Sequence, residues 1–262
     1  MQTILVMFSI FSFPVNLVLF LIWGLLVVLM WSSGRKSGFV RFMLSPGATY
    51  LAVGVFLAVC LVIGITGCRW ITTTWPFVIF MLYFQSVLAY VILRGWREAT
   101  ATGARLGAIR WRFLFLHVGL LMTIGFAYWG APDTTEYRMQ AFRNVPVSEA
   151  YDSDGKVKWL DYSLTLEDFS VSYGTDGVPS DYMAVVSVDN EKAELRVNHP
   201  YSLGFGEDLY LTSYDSAAGE YCILQVVREP WRYGALAGIV IMLIGALMLF
   251  IGGPRRNNNI ID

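Results

Sequence analysis

The sequence predicts a membrane protein: an α-helical transmembrane bundle of about five spans, with a small exported β-rich domain inserted between spans four and five. Three observations predict it. Hydrophobic residues are 56% of the 262-residue chain and charged residues 15%, where soluble domains carry roughly 25% charged residues. The apolar residues gather into five stretches, each near the ~20 residues that cross a ~30 Å hydrocarbon core. Between the fourth and fifth stretches lies an acidic segment rich in β-branched and aromatic residues.

The first span lies within 1–31 and is best placed at 14–31, with Pro14 separating a surface segment from the span. No basic segment precedes it, and its apolar run exceeds the ~7–15 residues of a signal-peptide core, so a retained helix is expected. The other spans are expected at 48–66, 76–93, 113–130 and 234–251. Basic residues set the orientation. Arg35, Lys36 and Arg41 follow span one, and Arg94, Arg97, Arg105, Arg110 and Arg112 follow span three against a single Glu98. Arg255 and Arg256 follow span five, whereas the loop after span two has only Arg69. Lysine and arginine collect on the cytoplasmic side, so the N-terminus is expected outside and the C-terminus inside. The expected organisation is four helices in 1–130, an extracytoplasmic domain in 131–233, a final helix in 234–254 and a cytoplasmic tail in 255–262.

Segment 131–233 carries 18 acidic and 8 basic residues. Residues 162–166 and 183–188 alternate in polarity, and 209–214 and 221–227 are rich in β-branched and aromatic side chains. Turn-forming clusters at 153–155, 174–177 and 189–190 separate them. Six to eight short strands in an antiparallel sheet or sandwich are expected.

Composition also excludes classes. A net charge of -1 leaves no chain-wide basic surface, so no nucleic-acid partner is expected. The three cysteines include no CxxC pair, which argues against zinc ribbons and dithiol chemistry. Cys60 reads as a small apolar filler, and sequence leaves open whether Cys68 and Cys222 pair. Seven tryptophans, at 31, 70, 75, 96, 111, 129 and 231, fall near span boundaries, where an interfacial belt accounts for them. No catalytic residue is singled out; Asp133 reads as a helix-end or loop residue, and His199 as a surface residue in a turn.

His117 is the most informative residue, because an ionisable side chain within an apolar span is costly. Counting 1.5 Å per residue from Arg112 places it roughly 8 Å into the inner half of the membrane. Two readings stay open: a hydrogen bond to a neighbouring helix, or an axial ligand to haem iron. Gly119 and Gly125 in the same span would allow a flat ligand or another helix to approach closely.

Three stretches resemble the ResB, or CcsB, family of the system II cytochrome c maturation machinery. The first runs from His117 through Gly130-Ala-Pro-Asp133 to Tyr137-Arg-Met. The second is 162–169 with Tyr173 and Gly177. The third is Val197-Asn-His-Pro200, then Gly206 to Tyr210, 213–215, and Val226 to Pro230. The resemblance spans roughly 45–254 and implies a subunit of a cytochrome c synthase in the bacterial inner membrane. By that resemblance, His117 would be one axial ligand of a transient haem b shared with a CcsA-type, Trp-rich membrane subunit. The complex would export haem and present it to apocytochrome c, with this chain non-catalytic or co-catalytic in the haem lyase. The alternative is a non-enzymatic membrane assembly module whose β domain binds an envelope partner.

Overall fold

The computed structural model describes residues 10–33, 37–101, 111–173, 175, 179–189, 191–215 and 220–252. The chain divides into two compact units, one formed by Met1–Pro132 with Trp231–Asp262 and the other by Asp133–Pro230.

The first unit is helical: α1 (Val15–Ser33), a short α2 (Gly38–Met43), α3 (Pro46–Thr66), α4 (Trp75–Ala101), α5 (Trp111–Gly130) and α6 (Arg232–Gly252). All but α2 are long and apolar enough to cross a membrane. Local chemistry sets the ends of α3. The Ser45 hydroxyl accepts the Ala48 amide at 3.2 Å, and Pro46 opens the helix, where a missing N–H costs nothing. Gly67 then closes it at φ 66°, a left-handed cap that suits a residue without Cβ. α4 is 27 residues long and continues beyond the expected span at 76–93. Its last turns keep strong helix formers such as Arg94, Arg97 and Ala101, so the helix outlasts its apolar stretch. The short α2 was not expected from the pattern.

Around α4 lies the core of this unit, where Phe84, Val87, Leu88 and Tyr90 pack with Val27, Met43, Ala48 and Ala52. The outward faces are apolar too: Leu21, Leu61 and Leu247 are each about 60% exposed. A water-facing surface of that kind would be penalised, whereas lipid tails solvate it. α5 and α6 meet backbone to backbone. A Cβ at Gly119 would lie 2.5 Å from the Met242 nitrogen, one at Gly238 2.6 Å from the Thr123 nitrogen, and one at Gly245 2.6 Å from the Leu116 nitrogen. The three glycines are what allow this approach.

The second unit is an eight-stranded sheet of order β5-β4-β3-β2-β1-β8-β7-β6. The strands are β1 (Thr135–Phe142), β2 (Val147–Tyr151), β3 (Val157–Tyr173), β4 (Pro179–Val188), β5 (Glu191–Arg196), β6 (Tyr201–Gly204), β7 (Glu207–Tyr214) and β8 (Tyr221–Arg228). Every pairing between them is antiparallel. Alternation buries one side of β1, β3, β4, β5 and β8. Met139, Ala141, Leu164, Leu166, Val186, Leu195, Leu224 and Val226 form the core. β3 has 17 residues and serves two neighbours. Its first half pairs with β2 and its second half with β4. The expected turn at 153–155 is present: the Asp152 carboxylate accepts the Asp154 and Lys156 amides at 2.9 Å, and Gly155 sits at φ 77°. Residues 174, 176, 177 and 190 of the other expected turns lie outside the described residues.

Candidate functional site

His117 lies in α5, half-buried. Its Nδ1 is 2.8 Å from the Phe113 carbonyl oxygen one turn earlier. A carbonyl can only accept, so Nδ1 carries the proton and donates it. In the neutral imidazole, Nε2 then keeps its lone pair. The Phe113 ring lies beneath the imidazole, centroid to centroid 4.0 Å. Phe113 is itself held because it packs against Gly95 of α4, where a Cβ would collide with the ring. On its other flank α5 is clamped to α6 through Gly119, Thr123 and Gly238. The Thr123 hydroxyl donates to the Gly119 carbonyl at 2.9 Å. Among the described residues, the hydrogen bond of His117 is therefore within its own helix, and its rotamer is supported from below by an aromatic ring.

A neutral imidazole with one nitrogen committed and one nitrogen bearing a lone pair is the donor that haem iron requires. Among the described residues, no cluster of three or more His, Cys, Asp or Glu could hold a metal ion. Arg41, Arg94, Arg97 and Arg112 are in described segments; Arg35, Lys36, Arg105, Arg110, Arg255, Arg256 and the tail at 255–262 lie outside them.

The structure also assembles a polar group that the sequence reading passed over. Asn16 donates from Nδ2 to the Trp129 carbonyl at 2.9 Å, and the Trp129 indole donates to Gln85 Oε1 at 3.1 Å. The Trp23 indole donates to Ser86 Oγ at 3.0 Å. Asn16 and Gln85 are 1% and 0% exposed. Gln85-Ser86 inside an otherwise apolar span, and Asn16 near the start of another, were the available signals. Polar side chains in such helices hydrogen-bond across the bundle, and here Asn16 Nδ2 and Gln85 Oε1 tie α1 and α4 to α5 through Trp129, while Gln85 Nε2 has no partner among the described residues. Trp129 is thus an internal strut and not part of an interfacial belt. Trp70, Trp75, Trp96 and Trp111 stand exposed near helix ends, where the belt reading places them.

Other candidates take structural positions. His199 is exposed in the turn after β5, exchanging backbone hydrogen bonds with Arg196. Asp133 ends a short 3-10 turn, Ala131–Asp133. All three cysteines are free. Cys60 is exposed on α3, so it is not a packed filler. Cys222 is buried in the β core, where loss of solvation pushes its thiol up to about 12. The Tyr162 hydroxyl donates to Glu207 Oε1 at 2.7 Å. Burial, that hydrogen bond and the nearby negative charge hold its phenol well above the usual tyrosine range. The closing block is a packing motif. Gly206, at φ 71°, faces the Pro230 backbone, and its carbonyl accepts the Glu229 amide at 2.6 Å.

Comparison with known proteins gives one family. A sequence model of the ResB-like family matches residues 92–221, just under half of the chain, and this stretch contains His117. The match supports a role in cytochrome c biogenesis. No curated protein matches significantly. Among solved structures, the chain resembles one described as Cytochrome c Heme Lyase CcmF, with a TM-score of 0.43 and 15% identity. The likeness covers 64% of this chain and spans 29% of that one. At that level it carries no functional inference.

Proposed function

We propose that this chain is a ResB/CcsB-type subunit of a cytochrome c synthase in a bacterial inner membrane. It binds haem b through His117, shares it with a CcsA-type membrane subunit, and helps export and present it to apocytochrome c. The observation that carries the reading is the Nδ1–H to Phe113 hydrogen bond within the stretch matched by the ResB-like family. It supports the reading by leaving Nε2 as the nitrogen available to ligate iron, on a helix braced on two flanks. Bound haem supplies the iron and the vinyl groups for thioether formation. This chain's part is to hold and orient, as no residue here is assigned as acid or base for the addition. Five helices long and apolar enough to cross a membrane support the membrane setting, and the lysine and arginine content of the connecting segments favours an N-terminus outside. The β unit then stands on the extracytoplasmic side.

The test is co-expression with a CcsA-type partner, followed by an absorption spectrum of the purified complex. His117→Ala is expected to remove the haem band, and added imidazole to restore it. An unchanged band and unchanged cytochrome yield in the His117→Ala complex would refute the ligand assignment.

A further inference from the structure

We propose that the first half of β3 is a docking edge that takes up an extended, positively charged polypeptide segment as an added strand. The inference is independent of haem binding.

It starts from the register. On one side of β3, β2 runs alongside, with Tyr151 opposite Val157, Glu149 opposite Trp159 and Val147 opposite Leu164. On the other side, β4 begins only at Leu164, opposite Val188. The Asp189 amide donates to the Ser163 carbonyl at 3.1 Å and closes the corner there. Among the described residues, no strand pairs with that side of 157–162. Six residues of open strand offer about 20 Å of backbone donors and acceptors, which another extended backbone satisfies.

The other edges are guarded in the ways that suppress strand addition. β5 alternates charge through Glu191, Lys192, Glu194 and Arg196. β6 has four residues. The open side of the second half of β3 is crossed by the Arg143–Asp168 ion pair at 3.0 Å. The first half of β3 instead shows apolar surface: Trp159 is 64% exposed and Val157 50%, with Tyr151 beside them on β2 at 41%. An added strand would set its side chains against Val157 and Trp159, where cross-strand aromatic pairs stabilise. The Asp152 turn holds the β2–β3 hairpin in a defined geometry, so little ordering cost attaches to docking.

Charge selects the occupant. Segment 131–233 carries 18 acids against 8 bases. Near the edge stand Glu149, Asp152, Asp154 and Asp161 against Lys156 and Lys158. A second copy meeting edge to edge would bring like charge together, whereas a basic segment is attracted.

The full chain in detergent is mixed with a short peptide of alternating lysine and valine, and backbone hydrogen exchange is followed by mass spectrometry. Protection is expected in 157–162. A matched peptide N-methylated at alternate amides keeps charge and side chains but cannot pair as a strand, and it should give no protection. Trp159→Ala should weaken binding about tenfold, as loss of an aromatic anchor does, with exchange in β1 and β8 unchanged. Protection elsewhere, equal protection by the N-methylated peptide, or self-association through 157–162 without peptide would each overturn the proposal.

Discussion

Gly119→Ala tests the packing on which the position of His117 depends. The new Cβ would lie 2.5 Å from the Met242 nitrogen, 2.7 Å from the Gly238 oxygen and 2.8 Å from the Met242 Cα. All three obstacles are backbone, so no side-chain rotamer relieves them. Ordinary contact needs about 3.5 Å, so α5 and α6 must separate by roughly 1 Å. Overpacking of this kind costs about 1–3 kcal/mol, and backbone obstacles place it near the upper end. Separation by ~1 Å also forfeits up to about half of each contact's attraction along the seam. An unfolding equilibrium in mild detergent, followed by titration with a denaturing detergent, should shift by about a hundredfold for ~3 kcal/mol. The control is Gly24→Ala, where nothing lies within 4 Å of the new Cβ. There the greater helix propensity of alanine makes the change neutral or stabilising by up to ~1 kcal/mol. If Gly119→Ala is as benign as Gly24→Ala, the backbone contact between α5 and α6 is not what holds the helix.

Three further outcomes are expected. The Cys222 thiol is neutral in the fold up to about 12, while the unfolded chain ionises near 9. The stability it contributes is whole below pH 9 and falls by about 1.4 kcal/mol per pH unit as pH rises toward 12. Cys222→Ala should flatten that slope in alkaline unfolding curves, and a slope identical to that of the parent chain would contradict the burial argument. Tyr162→Phe leaves Glu207 without its donor and should cost about 1–3 kcal/mol at neutral pH. The deficit should shrink above pH 10, where the unfolded parent chain gains by ionising its phenol and the variant does not. Finally, in a Cys60→Ala background, a membrane-impermeant maleimide added to intact cells should label Cys68, which lies between the second and third apolar helices. Cys222 should react only after denaturation. Labelling of Cys68 only after lysis would reverse the proposed orientation.

The bundle and the sheet are legible to different depths in the sequence. Five apolar stretches gave five helices because backbone groups in lipid must be satisfied within the segment, and length alone then fixes the element. Helix ends were less legible. α4 outran its apolar stretch because arginine and alanine continue a helix whether or not lipid surrounds it. The strands at 183–188 and 221–227 were visible through alternation, since each buries one face. The length of β3 was not, because its two halves answer to two different neighbours.

His117 shows the same division. Its type and setting, one ionisable ring in an apolar span, came from the sequence by itself, as did the acidic balance of 131–233. Which of its nitrogens carries the proton needed the Phe113 carbonyl, one turn away in the folded helix. The Asn16–Trp129–Gln85 strut and the glycine seam between α5 and α6 join residues far apart in the chain, and the open side of β3 depends on where β4 begins. Composition and periodicity act along the chain, whereas close approach, pairing and burial arise only between segments. The sequence therefore determined the elements and their solvent, and the tertiary structure decided which polar groups meet and which strand edge is left unpaired among the described residues.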